Sequence, residues 1–261
     1  MCYVCQAEVG IRGRSPARGL GYVDKRQHHD RPRNGTSYLF KNNVDSAGNS
    51  YGSHENYLIS RKLEFPILVK QLVPFLVTRQ ILVGAGKTHP HGGPLPGSTD
   101  PQATTGIPSY SFSQRADHIW EAASTSTSRT RPLINTRDEP HANSERYRRL
   151  HVIPADANLS HYSNLLKFGT ATLVLNLIES GRAPNLHLAD SVTALHTTSH
   201  DLSLSAQLPL TEDSDSTTKF ATALEIQRAY LNACKSHEQE NPTGVDNDTQ
   251  QILALWEETL D

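Results

Sequence analysis

The sequence predicts an α+β fold: an antiparallel β-sheet cradle packed with helices. Three observations carry that prediction. Residues 64–83 and 160–180 place apolar side chains at helical spacing, residues 51–59 and 148–153 alternate as half-buried strands do, and no regular βαβ rhythm links them.

Taken in order, residues 1–36 are rich in Arg, Gly, His and Gln without an apolar period, and are expected to be disordered. Cys2 and Cys5 form a CxxC pair, but the chain offers only the adjacent His28 and His29 nearby, so a zinc knuckle is not expected. Tyr38-Leu39-Phe40 is a short strand-like run, residues 42–49 are turn-rich, and Tyr51 to Ile59 reads as a strand. From Glu64 to Val83, Phe65, Leu68, Leu72, Phe75 and Leu76 lie on one helical face. Pro66 suits the first turn, and Pro74 should kink the helix because it lacks a backbone donor.

Residues 87–108, a Gly/Pro/His/Thr stretch, are expected to form a mobile surface loop. Ser109 to Arg115 looks extended, residues 124–130 are a polar Ser/Thr stretch, residues 133–135 are a short extended run, and Arg148 to Ile153 is a strand. A helix is predicted from Ser160 to Ser180, stopped by Gly181. Residues 184–217 read as loops with short strands, followed by helices near 218–236 and 248–260. Cys234 shares an apolar stripe with Phe220, Leu224 and Leu231 and is expected in the core.

A net charge of −2 gives no reason to expect nucleic acid or an anionic membrane as partner. No apolar run approaches the ~20 residues that span a bilayer, and no signal-peptide pattern opens the chain. Three cysteines do not make a disulfide framework, so a cytoplasmic setting is the expectation.

The chemistry concentrates in arginines and histidines. Arg129, Arg131, Arg137, Arg146, Arg148 and Arg149 fall within 21 residues, and no lysine occurs between Lys87 and Lys167. Arginine alone suggests forked contacts to phosphate or carboxylate; the competing reading is a salt-bridged surface with Glu121, Asp138, Glu139 and Glu145. In a strand, Arg149 and His151 project from one face while Leu150 and Val152 pack behind, and His54 and Asn56 stand in the same relation. Two histidines on neighbouring strands could share one divalent ion, although magnesium would also need carboxylate oxygens. Gly86-Lys87-Thr88 fails the phosphate-loop pattern, because Ile81 stands where its first glycine is required. No GxSxG elbow is present.

Six strings then occur in order: KNNVDSAGNSYGSHENYL (41–58), PFLVTRQILVGAGK (74–87), SQRADHIWE (113–121), RPLINTRDEPHA (131–142), RYRRLHVI (146–153) and DANLSHYSNLLKFGTATLVLNLIESG (156–181). Together they resemble the Pup ligase and depupylase family over about half of the chain. That resemblance implies a glutamine synthetase-type active site, with a sheet cradle holding ATP and magnesium ions. It implies His54 and His151 as metal ligands, Arg149 on the ATP phosphates, and Arg115 and Arg137 on phosphate or on the carboxylates of Pup's terminal glutamate. SAGNSYG (46–52) and HIWE (118–121) resemble the ligase branch rather than the depupylase branch.

The implied reaction phosphorylates the γ-carboxylate of Pup's C-terminal glutamate. A lysine of a target protein then attacks the acyl phosphate, marking the target for the proteasome. The resemblance also implies departures. The family's Glu-x-Glu strand and the segment with its catalytic aspartate are not visible in residues 1–36, so no catalytic base is assigned. Residues 37–261 are then expected to be part of a large domain, with 87–108 inserted and the small C-terminal domain absent. The chain alone is expected to be inactive, with a depupylase, a deamidase or a non-catalytic remnant as the alternatives.

Overall fold

The computed structural model describes residues 41–45, 48–93, 104–125, 131–139, 143–214, 219–240 and 247–261. The expectations for residues 1–36, the CxxC pair, the run at 38–40 and most of the 124–130 stretch lie outside them. The described residues form eight strands and six α-helices.

Strand β1 (Ser53–Ser60) buries every other residue, so Ser53, Glu55, Tyr57 and Ile59 face inward while His54, Asn56 and Leu58 face outward. It pairs antiparallel with β6 (Tyr147–Ala155), which pairs antiparallel with β5 (Pro132–Asn135). The sheet order is β1-β6-β5-β4, where β4 is Glu121–Ser124. The α+β class holds, with one difference from the antiparallel expectation: β4 and β5 run parallel.

The registers set two rows across the sheet. Glu55, Val152 and Ile134 form one on the inner face; Asn56, His151 and Asn135 form the other on the outer face. The inner row looks onto the helices.

Helix α1 (Phe65–Thr78) starts with proline in its first turn, as predicted, and runs on through Pro74. The long predicted helix breaks at Arg79 instead, before the short α2 (Gln80–Val83). The guanidinium at the break is drawn inward by Glu55 of β1, to which it donates at 2.7 and 3.0 Å. Both side chains are almost fully buried.

Strand β2 (Lys87–His89) falls in the expected loop and pairs antiparallel with β3 (Ser109–Ser111), which opens the run expected to be extended; a 3₁₀ turn at Ala116–His118 follows. Helix α3 (His161–Glu179) is capped by Ser160, whose hydroxyl accepts the Tyr162 N–H, and ends at Gly181 with φ +71°. It is buried on most sides and packs against α1, α2 and the two C-terminal helices.

Within the stretch expected to hold only loops and short strands, α4 (Ser191–His200) forms behind Asp190, which caps the N–H groups of Val192 and Thr193. Strands β7 (Leu208–Pro209) and β8 (Phe220–Ala221) form a small second hairpin. Helix α5 (Ala223–Glu240) starts five residues later than predicted, at a capping box in which Thr222 and Glu225 exchange side chain-to-backbone bonds. Helix α6 (Asn247–Leu260) buries Leu253, Trp256 and Leu260.

One apolar cluster, from Tyr57 to Leu260, unites sheet and helices, and Cys234 lies in it as predicted. No helix among the described residues is long and apolar enough to cross a membrane.

Candidate functional site

The outer face of β1 and β6 brings three of the sequence-predicted residues together. His151 pairs with Asn56, and Arg149 with Leu58, in the antiparallel register. Leu150 and Val152 are buried behind them. Arg149 donates through Nε to Asn56 Oδ1 at 2.6 Å and through Nη2 to His151 Nδ1 at 3.2 Å. The His151 Nε2 then lies 3.0 Å from His54 Nδ1.

These contacts fix the tautomers. A guanidinium only donates, so His151 Nδ1 is the acceptor and its proton sits on Nε2. That proton is donated to His54 Nδ1, which leaves His54 carrying its own proton on Nε2. A directed chain therefore runs from Arg149 through His151 to His54.

Electrostatics keep both rings neutral at pH 7. Burial first, and then the charges of Arg115, Arg149 and Arg131, lower the His54 pKa to about 4. Burial, the neighbouring His54 and Arg149 lower that of His151 to about 3. Three guanidinium groups thus converge on His54, a field that suits an anion.

Arg115 is placed differently from Arg149. It is buried, and it donates through Nε to the Ile153 carbonyl and through Nη1 to Ser50 Oγ. A Cβ added at Gly52 would lie 2.3 Å from its Nε, so the glycine makes room for the arginine. Its backbone N–H is held by Asp156, whose carboxylate also accepts from Ala85, Ser113 and Gln114. Burial raises the Asp156 pKa and these donors offset part of the rise.

Arg137 is exposed, two residues beyond β5. Its backbone N–H is donated to Asn135 Oδ1, and no hydrogen bond or ion pair joins its guanidinium to the histidine pair among the described residues. Arg129 lies outside the described residues. Arg146 and Arg148 stack over Tyr147 and Phe65, at 5.4 and 4.8 Å from the ring centroids. Among the described residues, the salt-bridged reading of the arginine cluster is met by a contact of Arg149 with the exposed Glu139 at 3.7 Å.

Sequence reasoning did not foresee the part of Arg131, which acts on His54 by charge alone. It also missed the buried system behind the site, where Glu55 binds Arg79 and receives the Tyr57 hydroxyl. Lys167, fully buried, donates there to the Asp156 carbonyl, Asn158 Oδ1 and Ser53 Oγ. The inward phase of Glu55 in β1 was the available signal.

The family model described as Pup-ligase protein matches residues 21–261. The chain belongs to the Pup-ligase family. A Pup–protein ligase of Rothia mucilaginosa is 59% identical over 233 residues, covering 88% of this chain and 46% of that protein. One of Kocuria rhizophila is 52% identical over 227 residues, covering 87% and 47%. The chain thus spans about half the length of these curated relatives.

Two solved structures of the ligase PafA are similar. One, in complex with Pup, superposes with a TM-score of 0.69 at 40% identity, over 85% of this chain and 42% of that one. The other, in complex with ADP, gives 0.71 at 39% identity, over 92% and 50%. In this Pup-ligase chain, the HENY string divides by strand phase: its histidine and asparagine face the site, and its glutamate and tyrosine face the core.

Proposed function

We propose that this chain carries the phosphate-handling part of a Pup–protein ligase site. In that reaction ATP phosphorylates the terminal glutamate of Pup, and a lysine of a target protein displaces the phosphate to form an isopeptide bond, marking the target for the proteasome. The observation that carries the reading is the Arg149–His151–His54 chain beneath the charges of Arg115 and Arg131. Arg149 is placed to bind ATP phosphates, and fixed guanidinium groups stabilise the charge on a transferring phosphoryl group. Arg115 acts from behind, fixing the strand ends and adding field. Arg137, exposed at the rim, is free of the histidine network and is the arginine we assign to a carboxylate of Pup. The ADP and Pup complexes of the two PafA structures support nucleotide and Pup as ligands.

Magnesium fits only in part. Two ligands at ~2.1 Å in an octahedron stand about 3 Å apart, and the facing nitrogens of His54 and His151 are 3.0 Å apart. Both rings are neutral, as metal binding requires, but ligation through His151 Nε2 would need its proton moved to Nδ1 and the bond from Arg149 given up. Magnesium also demands oxygen ligands, and no acidic side chain joins this pair in a metal-binding group among the described residues. The residues present therefore supply two nitrogen donors and not a complete magnesium site.

We propose that the chain alone does not turn over. Residues 37–261 are read as part of the ligase's large domain, in keeping with the single core cluster, and the protein as cytoplasmic. The test is an incubation of the purified chain with ATP, magnesium, Pup and a lysine-bearing protein. We expect no conjugate but saturable binding of ADP. Conjugation would overturn the inactivity, and release of Pup from a preformed conjugate would favour the depupylase branch.

A further inference from the structure

We propose that His89, Asp117 and His200 form a second site, for a divalent transition-metal ion of the zinc type. One ligand atom from each lies within 4.8 Å of the others, and this is the three-residue metal-binding group found among the described residues. The three come from separate elements: His89 ends β2, Asp117 lies in the 3₁₀ turn, and His200 ends α4.

The cluster is already drawn together. His200 Nε2 and Asp117 Oδ1 are 2.8 Å apart, and the His89 and His200 rings stand with centroids 5.4 Å apart. The other Asp117 oxygen, Oδ2, is buried without a hydrogen-bond partner. A buried, unsatisfied carboxylate oxygen beside two imidazoles is a costly arrangement that an ion would relieve.

Two imidazoles and one carboxylate suit zinc or cobalt better than magnesium or calcium. Tetrahedral coordination at ~2.0–2.2 Å brings ligand atoms to about 3.4 Å of one another, so from the 4.8 Å bound the cluster needs to close by about 1.4 Å at most. His89 would release Ser111 Oγ, now 2.9 Å from its Nε2, and the fourth position would hold water. The ion takes the place of the proton between His200 and Asp117. It would staple the β2–β3 hairpin to the 3₁₀ turn and α4.

The Lys87 ammonium, 3.9 Å from Asp117 Oδ2, is the charge that opposes an incoming cation. His118 also faces this carboxylate and is held neutral, its pKa lowered to about 4 by burial, then by Lys87 and Arg131. Removing Lys87 should therefore tighten the site.

The test uses the full 261-residue chain, with Cys2→Ser and Cys5→Ser to remove the CxxC pair as a competing ligand. After chelator treatment it is titrated with cobalt chloride, read by the visible ligand-field bands, and with zinc chloride by calorimetry. We expect one ion per chain and nitrogen/oxygen-type bands. His89→Gln, which can keep the bond to Ser111, and His200→Gln should each weaken binding about tenfold or more. Lys87→Met should strengthen it. Affinity unchanged in both histidine variants, or no saturable binding, overturns the proposal. Circular dichroism of each variant separates a lost ligand from a lost fold.

Discussion

At the scale of single residues, the site is governed by which face of a strand a side chain occupies and by what surrounds it there. His54, Asn56, Arg149 and His151 were legible because the strand period of two assigns them to one face. Arg115 was legible as a site residue but not as a buried one, since its burial depends on the absence of a side chain at Gly52, far away in sequence. Gly52→Ala should cost about 1–3 kcal/mol by overpacking, read from the denaturant midpoint.

The low pKa values of His54 and His151 give a pH prediction with a definite sign. From pH 6.5 down to about 4 and about 3 the unfolded chain binds protons that these folded rings refuse. Stability therefore rises with pH across that window and is lost on acidification. The raised pKa of Asp156 works in the opposite sense. The comparison of His151→Gln with the unaltered chain isolates the histidine part: the variant should show a flatter dependence of Tm on pH. An unchanged slope would count against neutral, shielded rings.

At the scale of elements, the helices follow apolar spacing closely, yet their ends obey other rules. Helix α3 was legible to within a residue because Ser160 and Gly181 mark both ends. Helix α4 was not, because Val192, Thr193, Thr197 and Thr198 are weak helix formers and only the Asp190 cap announces it. Strand β4 is too short to show a period. The run from Glu64 to Val83 reads as one helix in the sequence, but it divides at Arg79, where Glu55 holds the side chain.

That buried pair yields the strongest prediction at this scale. Arg79→Met leaves Glu55 as an uncompensated buried charge and should cost about 3–5 kcal/mol. Adding Glu55→Gln to it should recover part of the loss. Thr222→Ala removes one half of the capping box at α5 and should cost about 1 kcal/mol. Both are measured by urea unfolding. An Arg79→Met variant as stable as the parent would show that the break is not held by this pair.

At the scale of the whole molecule, one core joins a four-stranded sheet to six helices and leaves the polar row from Asn56 to Asn135 on the sheet's other face. The shared strings showed where the family lies, since each falls on an element that builds or supports that face. What the strings could not show is which of their residues touch one another: Glu55 and Arg79 are 24 positions apart and His54 and His151 are 97 apart. The chain covers about half of its curated relatives, and among the described residues the face supplies arginine and imidazole.

The most direct measurement is calorimetric titration of ADP into the purified chain and into its Arg149→Met and Glu139→Gln variants, with and without magnesium. A charge-assisted bond to phosphate is worth roughly 1.5–3 kcal/mol, so Arg149→Met should weaken binding about tenfold or more. Glu139, the exposed carboxylate 3.7 Å from Arg149, competes with phosphate for that guanidinium, so Glu139→Gln should leave binding undiminished or strengthen it. Equal ADP affinity in the Arg149→Met variant and the unaltered chain would contradict the account.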